Sequence, residues 1–313
     1  MTATRSIAGA RRSGGGAVVE ASLRGAGFDL RAPRVALVEA QRPEGRPFAR
    51  VLVQNAWTVL PAGDYQRLSA PYPAAWRARM AGRRAVAAIN IRRAEQVVCL
   101  TGSMGDLVRS TTRTPVSVSH VLAPLDVSPS AAAEGGHPEE PGHTPVLVPG
   151  TITWYKRPQL ALQVARGLID HSGGSPSVLF AGRDDGTGAW EATQQEARRL
   201  GLTAERALLT RPQMLDALRT FTATILPSEL ESLSLSLSEA LLLSPTVIAS
   251  SLAVHREVST TLNRTPEWLE TWLPHGRRPT PPATVTADAI RASWQQVGEA
   301  LQLPRQREEG QKP

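Results

Sequence analysis

Cysteine is almost missing from this chain. Cys99 is the single one among 313 residues, so no intrachain disulfide framework can staple the fold, and its apolar setting in Val97-Val98-Cys99-Leu100 reads as packing rather than as a nucleophile. Lysine is nearly as scarce. Lys156 and Lys312 are two of 35 basic residues, the rest being arginine, and with abundant alanine this points to GC-rich coding as readily as to a polyanion-binding surface. Aromatic residues make up 4%, and the arginines are not interleaved with rings on which bases could stack, which argues against a nucleic-acid module despite a net charge of +7. No apolar run approaches the roughly 18–20 residues that span a bilayer, and residues 1–16 lack the apolar core of a secretory signal. The protein is therefore expected in the cytoplasm.

The length suits two compact domains, since single cores rarely grow past about 250–300 residues. Short β-branched runs at 35–38, 51–53, 97–100 and 116–118, separated by helical stretches, predict βαβ units in the first half. Residues 126–144 are rich in Pro, Gly, Ser and Ala without apolar period and are expected to be a linker. Beyond it, apolar strands predicted at 145–149, 177–181, 222–226 and 246–249 alternate with helical patterns near 158–170, 188–200, 212–220 and 238–243. That alternation predicts an α/β fold with parallel sheets, helices on both faces and ligands at the carboxyl ends of the strands. The expected division is a domain over 1–125, the linker, a second domain over 145–302 and a disordered tail over 303–313.

Residues 227–240 read Pro-Ser-Glu-Leu-Glu-Ser-Leu-Ser-Leu-Ser-Leu-Ser-Glu-Ala. By periodicity alone Ser232 to Ser238 alternates like a half-buried strand, and two glutamates eight apart, Glu231 and Glu239, occur as readily on a solvated face. The stretch nevertheless resembles the E-x7-E signature of retaining glycosyltransferases with the GT-B fold, family 4 type. Further matching segments follow the family's order: Pro145 to Trp154 leading into Tyr155-Lys156-Arg157-Pro158, Val178 to Arg183 with Asp184-Asp185-Gly186, Pro245 to Ser250, and His255-Arg256-Glu257-Val258. The resemblance covers residues 146–258 and is weak before 125.

The resemblance implies two Rossmann-like domains facing across a cleft, and transfer of a hexose with retention from a nucleotide diphosphate sugar to a glycan or lipid-linked acceptor. It makes Lys156 a cation for the diphosphate and Glu231 an acceptor for the sugar hydroxyls, these two being the candidate catalytic residues. Glu239 would take the ribose, and Arg157, Arg183 and the backbone around Ser234 and Leu235 would help hold the phosphates. No cofactor or metal is expected, since no spacing resembles a zinc site. His255-Arg256-Glu257 is read as structural.

The chain also departs from the pattern. Thr151 stands where an arginine is common, Leu233-Ser234 replaces Phe-Gly, and Ser236 replaces Pro. Ser234 could match the glycine's close approach only with a negative φ. No histidine precedes His120, and no clear strand precedes Gly14-Gly15-Gly16, so the first domain is expected to be shortened. An inactive GT-B homologue that binds a glycan or a partner is the alternative. Residues 76–93 carry six arginines and no acid beside Trp76, Met80, Val86 and Ile89, either an ordinary helix with a basic face or an amphipathic one lying on anionic membrane.

Overall fold

The computed structural model describes residues 15–32, 34–42, 45–127, 146–172, 177–271 and 285–306. Residues 1–14, where no clear strand is expected, the body of the linker at 128–144 and the tail beyond 306 lie outside them.

The first half opens with helix α1 (Gly15–Gly25) and builds a four-stranded sheet from β1 (Val35–Ala36), β2 (Arg50–Val53), β3 (Gln96–Cys99) and β4 (Val116–Val118). Its order is β1-β2-β3-β4, every pair parallel. Between β2 and β3 come α2 (Ala62–Ser69) and α3 (Ala74–Arg93), and α4 (Gly102–Arg109) precedes β4.

The second half contains β5 (Val146–Pro149), α5 (Pro158–Ser172), β6 (Ser177–Ala181), α6 (Ala189–Leu200), β7 (Thr203–Ala207), α7 (Arg211–Thr220), β8 (Ala223–Leu226), α8 (Leu235–Leu243), β9 (Val247–Ala249), α9 (Ala253–Leu262) and β10 (Glu267–Trp268). The strands form a parallel sheet in the order β10-β9-β8-β5-β6-β7. Strands β5, β8 and β9 are buried along their whole length, as the continuous aliphatic runs of a sheet covered on both faces require. The α/β class with parallel sheets is thus the observed one. Residues 232–238 do not form a strand: the alternation of Ser and Leu ends in α8, which is buried on nearly every side.

The halves are not independent in their packing. Helix α10 (Ala287–Ala300), expected in the second domain, returns to the first: Trp294, fully buried, donates its Nε1 hydrogen to the Ala123 carbonyl at 2.7 Å, and α10 lies against α1. The start of the expected tail is also held. Phe28 and Arg305 form an antiparallel bridge, and Asp29 N donates to Pro304 O at 2.8 Å. Apolar surface explains both, because Phe28 and Leu303 share the core cluster that α10 completes.

Helix α3 does form over the arginine-rich stretch, and much of its apolar side packs within the first half. Trp76 stacks on Tyr72 with centroids 3.9 Å apart and meets Trp57 edge-on, while Met80, Ala87 and Ile91 are buried. Of the apolar residues named from sequence, Met80 is buried and Trp76 half-buried in the fold, while Ile89 stays exposed. What remains exposed is a basic face with Arg77, Arg79 and Arg83, beside Ile89.

Candidate functional site

The second sheet reverses its strand order at β5, which has β8 on one side and β6 on the other. In open parallel sheets the crevice beyond the carboxyl ends of such strands is where loops part and ligands fit. After β5 the chain turns at Gly150, whose φ of +111° suits glycine, and a side chain there would press on the Lys156 ammonium group. A single turn at 154–156 then brings Lys156 back over the crevice. After β8 the loop 227–234 carries Glu231, and α8 carries Glu239.

The cleft holds about 700 Å³ and is walled by both halves. From the first come segments just past β1, β2 and β3, among them Glu39, Gln54, Asn55 and Leu100; from the second come Gly150, Lys156, Arg183, Glu231, Ser234, Leu235 and Glu239. The carboxyl ends of the two sheets therefore face one another. An open depression of about 710 Å³ lies elsewhere, around Arg92, Arg109 and Arg113. Arg92 and Arg109 sit in the last turns of α3 and α4, where they complement the negative helix ends, and no carboxylate joins them in its lining.

Lys156 and Glu231 meet directly, Nζ to Oε1 at 2.7 Å, with both side chains largely buried. Ser228 Oγ donates to the same carboxylate oxygen at 2.8 Å. Burial opposes ionisation of Glu231, but the charge of Lys156 and the hydrogen bonds from Lys156 and Ser228 outweigh it and hold the carboxyl below its ordinary range. Glu239 is paired differently. Its Oε1 accepts from Arg211 Nη1 at 2.7 Å, while burial pushes its pKa up to about 7 against the pull of Arg211.

Arg183 lines the cleft, as do Ser234 and Leu235. Arg157 does not. At φ 50° it ends the 154–156 turn in the left-handed region, and its Nε lies 3.7 Å from Glu229 Oε1, a half-exposed pair outside the cleft lining. Ser234 also differs from expectation, with φ 53° and ψ 55°. It thus adopts the backbone that glycine would take, and its hydroxyl is held by His255. His255 itself is fully buried.

Three residues on the cleft were not singled out from sequence. Arg211 was one arginine among many in a stretch without motif. Glu39 is a lone carboxyl after a two-residue strand; it is fully buried, accepts from Gln54 N and Thr58 Oγ1 at 2.9 Å each, and burial raises its pKa. Trp57 is edge-on to Tyr65, Tyr72, Trp76 and Tyr155, so Tyr155, next to Lys156, is wedged into aromatic side chains of the other half. Its pairing was invisible because the two lie 98 positions apart in the chain.

No protein-family model matches the chain, and no curated protein matches it. Solved structures of similar arrangement include an α,α-trehalose 6-phosphate synthase from Burkholderia multivorans, at 11% identity and TM-score 0.49, over 82% of this chain and 59% of that one. A UDP-forming α,α-trehalose-phosphate synthase from Burkholderia vietnamiensis aligns at 10% identity and TM-score 0.46, over 82% and 66% of the two chains. S. aureus TarM, solved with UDP, aligns at 12% and 0.45, over 70% and 39%. The likeness is one of fold alone. This chain spans between 39% and 66% of the length of those structures.

Proposed function

We propose that this chain is a GT-B glycosyltransferase of the retaining family 4 type, moving a hexose from a nucleoside diphosphate sugar to a glycan or lipid-linked acceptor. The observation that carries the reading is the convergence of Lys156, Glu231 and Glu239 in one cleft between the carboxyl ends of two parallel sheets. In this reading the donor's diphosphate takes the Lys156 ammonium, which stabilises the charge that grows on the leaving phosphate oxygen. Glu231 accepts the sugar hydroxyls and so orients the anomeric carbon. The bond from that carbon to the phosphate oxygen breaks, the acceptor oxygen bonds on the same face, and the acceptor's proton passes to the departing phosphate.

The same ion pairs support a second reading, a homologue that binds without turnover, because Lys156 and Arg211 already occupy the two glutamates. Calorimetric titration with UDP, GDP and ADP, on wild type, Lys156→Ala and Glu239→Ala, tests the donor site. Binding lost in the variants supports it; no binding at millimolar concentration, or unchanged affinity in both variants, overturns it. Transfer or slow donor hydrolysis then separates an enzyme from a binding homologue.

For location, the reading is cytoplasmic, with contact to anionic membrane through the basic face of α3. Among the described residues no helix is long and apolar enough to cross a membrane. Sedimentation with anionic and neutral liposomes decides whether Arg77, Arg79 and Arg83 attach the protein electrostatically.

A further inference from the structure

We infer that Arg211, fixed from behind by Asp126, is a positioning residue that sets the Glu239 carboxylate for the ribose of the donor; the inference rests on the donor-site reading above. Glu239 sits mid-way along α8 with 5% of its surface exposed. A carboxyl so placed and left alone takes up a proton and becomes a poorer acceptor for hydroxyls. Arg211 opposes this without fully offsetting burial, donating from Nη1 to Oε1 at 2.7 Å. Among the described residues no bond to the second oxygen, Oε2, accompanies this one, and Glu239 and Arg211 both line the cleft.

The guanidinium has little freedom to do anything else. Its Nε and Nη2 donate to the two oxygens of Asp126 at 2.7 and 2.8 Å, a fork that fixes the plane of the group. With Nε, Nη1 and Nη2 all donating to Asp126 and Glu239, Arg211 is committed to them rather than to a phosphate.

Asp126 is itself anchored outside the second sheet. Its neighbours Ala123 and Val127 are buried, Ala123 O accepts from Trp294 of α10, and Leu125 N donates to Ser22 Oγ of α1 at 3.3 Å. Glu239 is therefore oriented by elements that pack against the first half. Precise placement of an acceptor of this kind depends on such support.

The test uses the full chain and two probes, UDP and 2′,3′-dideoxy-UDP, the GDP and ADP pairs being run alike. Wild type is expected to prefer the ribose form. Asp126→Asn and Arg211→Lys, which retain size or charge but lose the fork, are expected to weaken ribose-form binding by about tenfold while the dideoxy form changes by less than about twofold. Equal weakening of both probes in both variants, or no change in their ratio, overturns the inference while leaving the donor site intact. If wild type binds no nucleoside diphosphate, the donor-site reading falls and this inference with it.

Discussion

Ser234 Oγ lies 2.9 Å from Nε2 of the fully buried His255. The other ring nitrogen, Nδ1, is 2.8 Å from the Ser250 carbonyl oxygen, which only accepts, so Nδ1 carries the hydrogen. Burial lowers the His255 pKa and keeps the ring neutral, which leaves Nε2 to accept from the serine hydroxyl. This bond helps hold a non-glycine residue in the left-handed backbone at the head of α8.

Ser234→Ala and Ser234→Gly should therefore differ in a definite order. Both lose the bond and strand the buried ring nitrogen, at about 1–3 kcal/mol. Glycine recovers about 1 kcal/mol because the left-handed region is open to it. Urea unfolding should show Ser234→Gly as the milder change. The reverse order would mean that the backbone at 234 carries no such cost.

The Lys156–Glu231 pair predicts a different pattern. Lys156→Met leaves a carboxylate buried without its counter-charge, a loss of about 3–5 kcal/mol, whereas adding Glu231→Gln removes that stranded charge. The double variant should be more stable than Lys156→Met alone, a comparison made by denaturant melts of the full set. If the proposed donor site is right and the partner of Glu231 is the sugar, Glu231→Gln by itself should lower kcat for transfer or donor hydrolysis by about tenfold or more, with nucleotide affinity little changed. Turnover equal to wild type with an intact donor site would remove Glu231 from the chemistry.

Much of this arrangement was legible because burial writes itself into sequence. The aliphatic runs of β5, β6, β8 and β9 could be read directly, and Lys156 stood out among the arginines. Edge strands were harder. Strand β7, Thr-Ala-Glu-Arg-Ala, is mostly exposed and polar, as an unpaired sheet edge tends to be, and it gave no apolar signal. The Asp126–Arg211–Glu239 cluster was hidden for another reason: its members come from three separate stretches and have no fixed spacing. The helix 74–93 could be read as basic, but not which neighbours would cover Trp76, since Tyr72 and Trp57 meet it only in the fold.

Nucleotide binding should depend on pH through Glu239. The charged groups facing it are Arg211 and, behind it, Asp126; burial raises its pKa to about 7 while Arg211 pulls the other way. Its ionised fraction then rises from about one-tenth at pH 6 to about nine-tenths at pH 8. The preference for UDP over 2′,3′-dideoxy-UDP is expected to grow over that range, and taking the ratio cancels protonation of the phosphates. In Glu239→Gln it should stay flat. A flat wild-type ratio would show that the ribose does not rely on this carboxylate.

Glu257 of α9 predicts how the two halves hold together. Its Oε1 accepts from Gly102 N, and its Oε2 from Ser103 N at 2.9 Å and Ser103 Oγ at 2.7 Å, which places a carboxylate on the N-terminus of α4 across the boundary. His120 Nδ1 lies 2.9 Å from Oε1. Thr101, the N-cap of the same helix, donates to Ser232 O beside Glu231, so the contact also braces the loop of the candidate site. Burial acts to raise the Glu257 pKa, but the donors at Ser103 and Gly102 outweigh it and the pKa is lowered from 4.5. A depressed carboxyl pKa stabilises the folded state above its unfolded value and loses that contribution as pH falls through the folded one. Glu257→Gln should thus cost about 1–2 kcal/mol at pH 7, the difference from wild type shrinking as pH drops below about 4. Hydrogen exchange at the Gly102 and Ser103 amides should quicken in the variant. A difference that stays constant with pH, with exchange unaltered, would show that this carboxylate does not bind the halves through its charge.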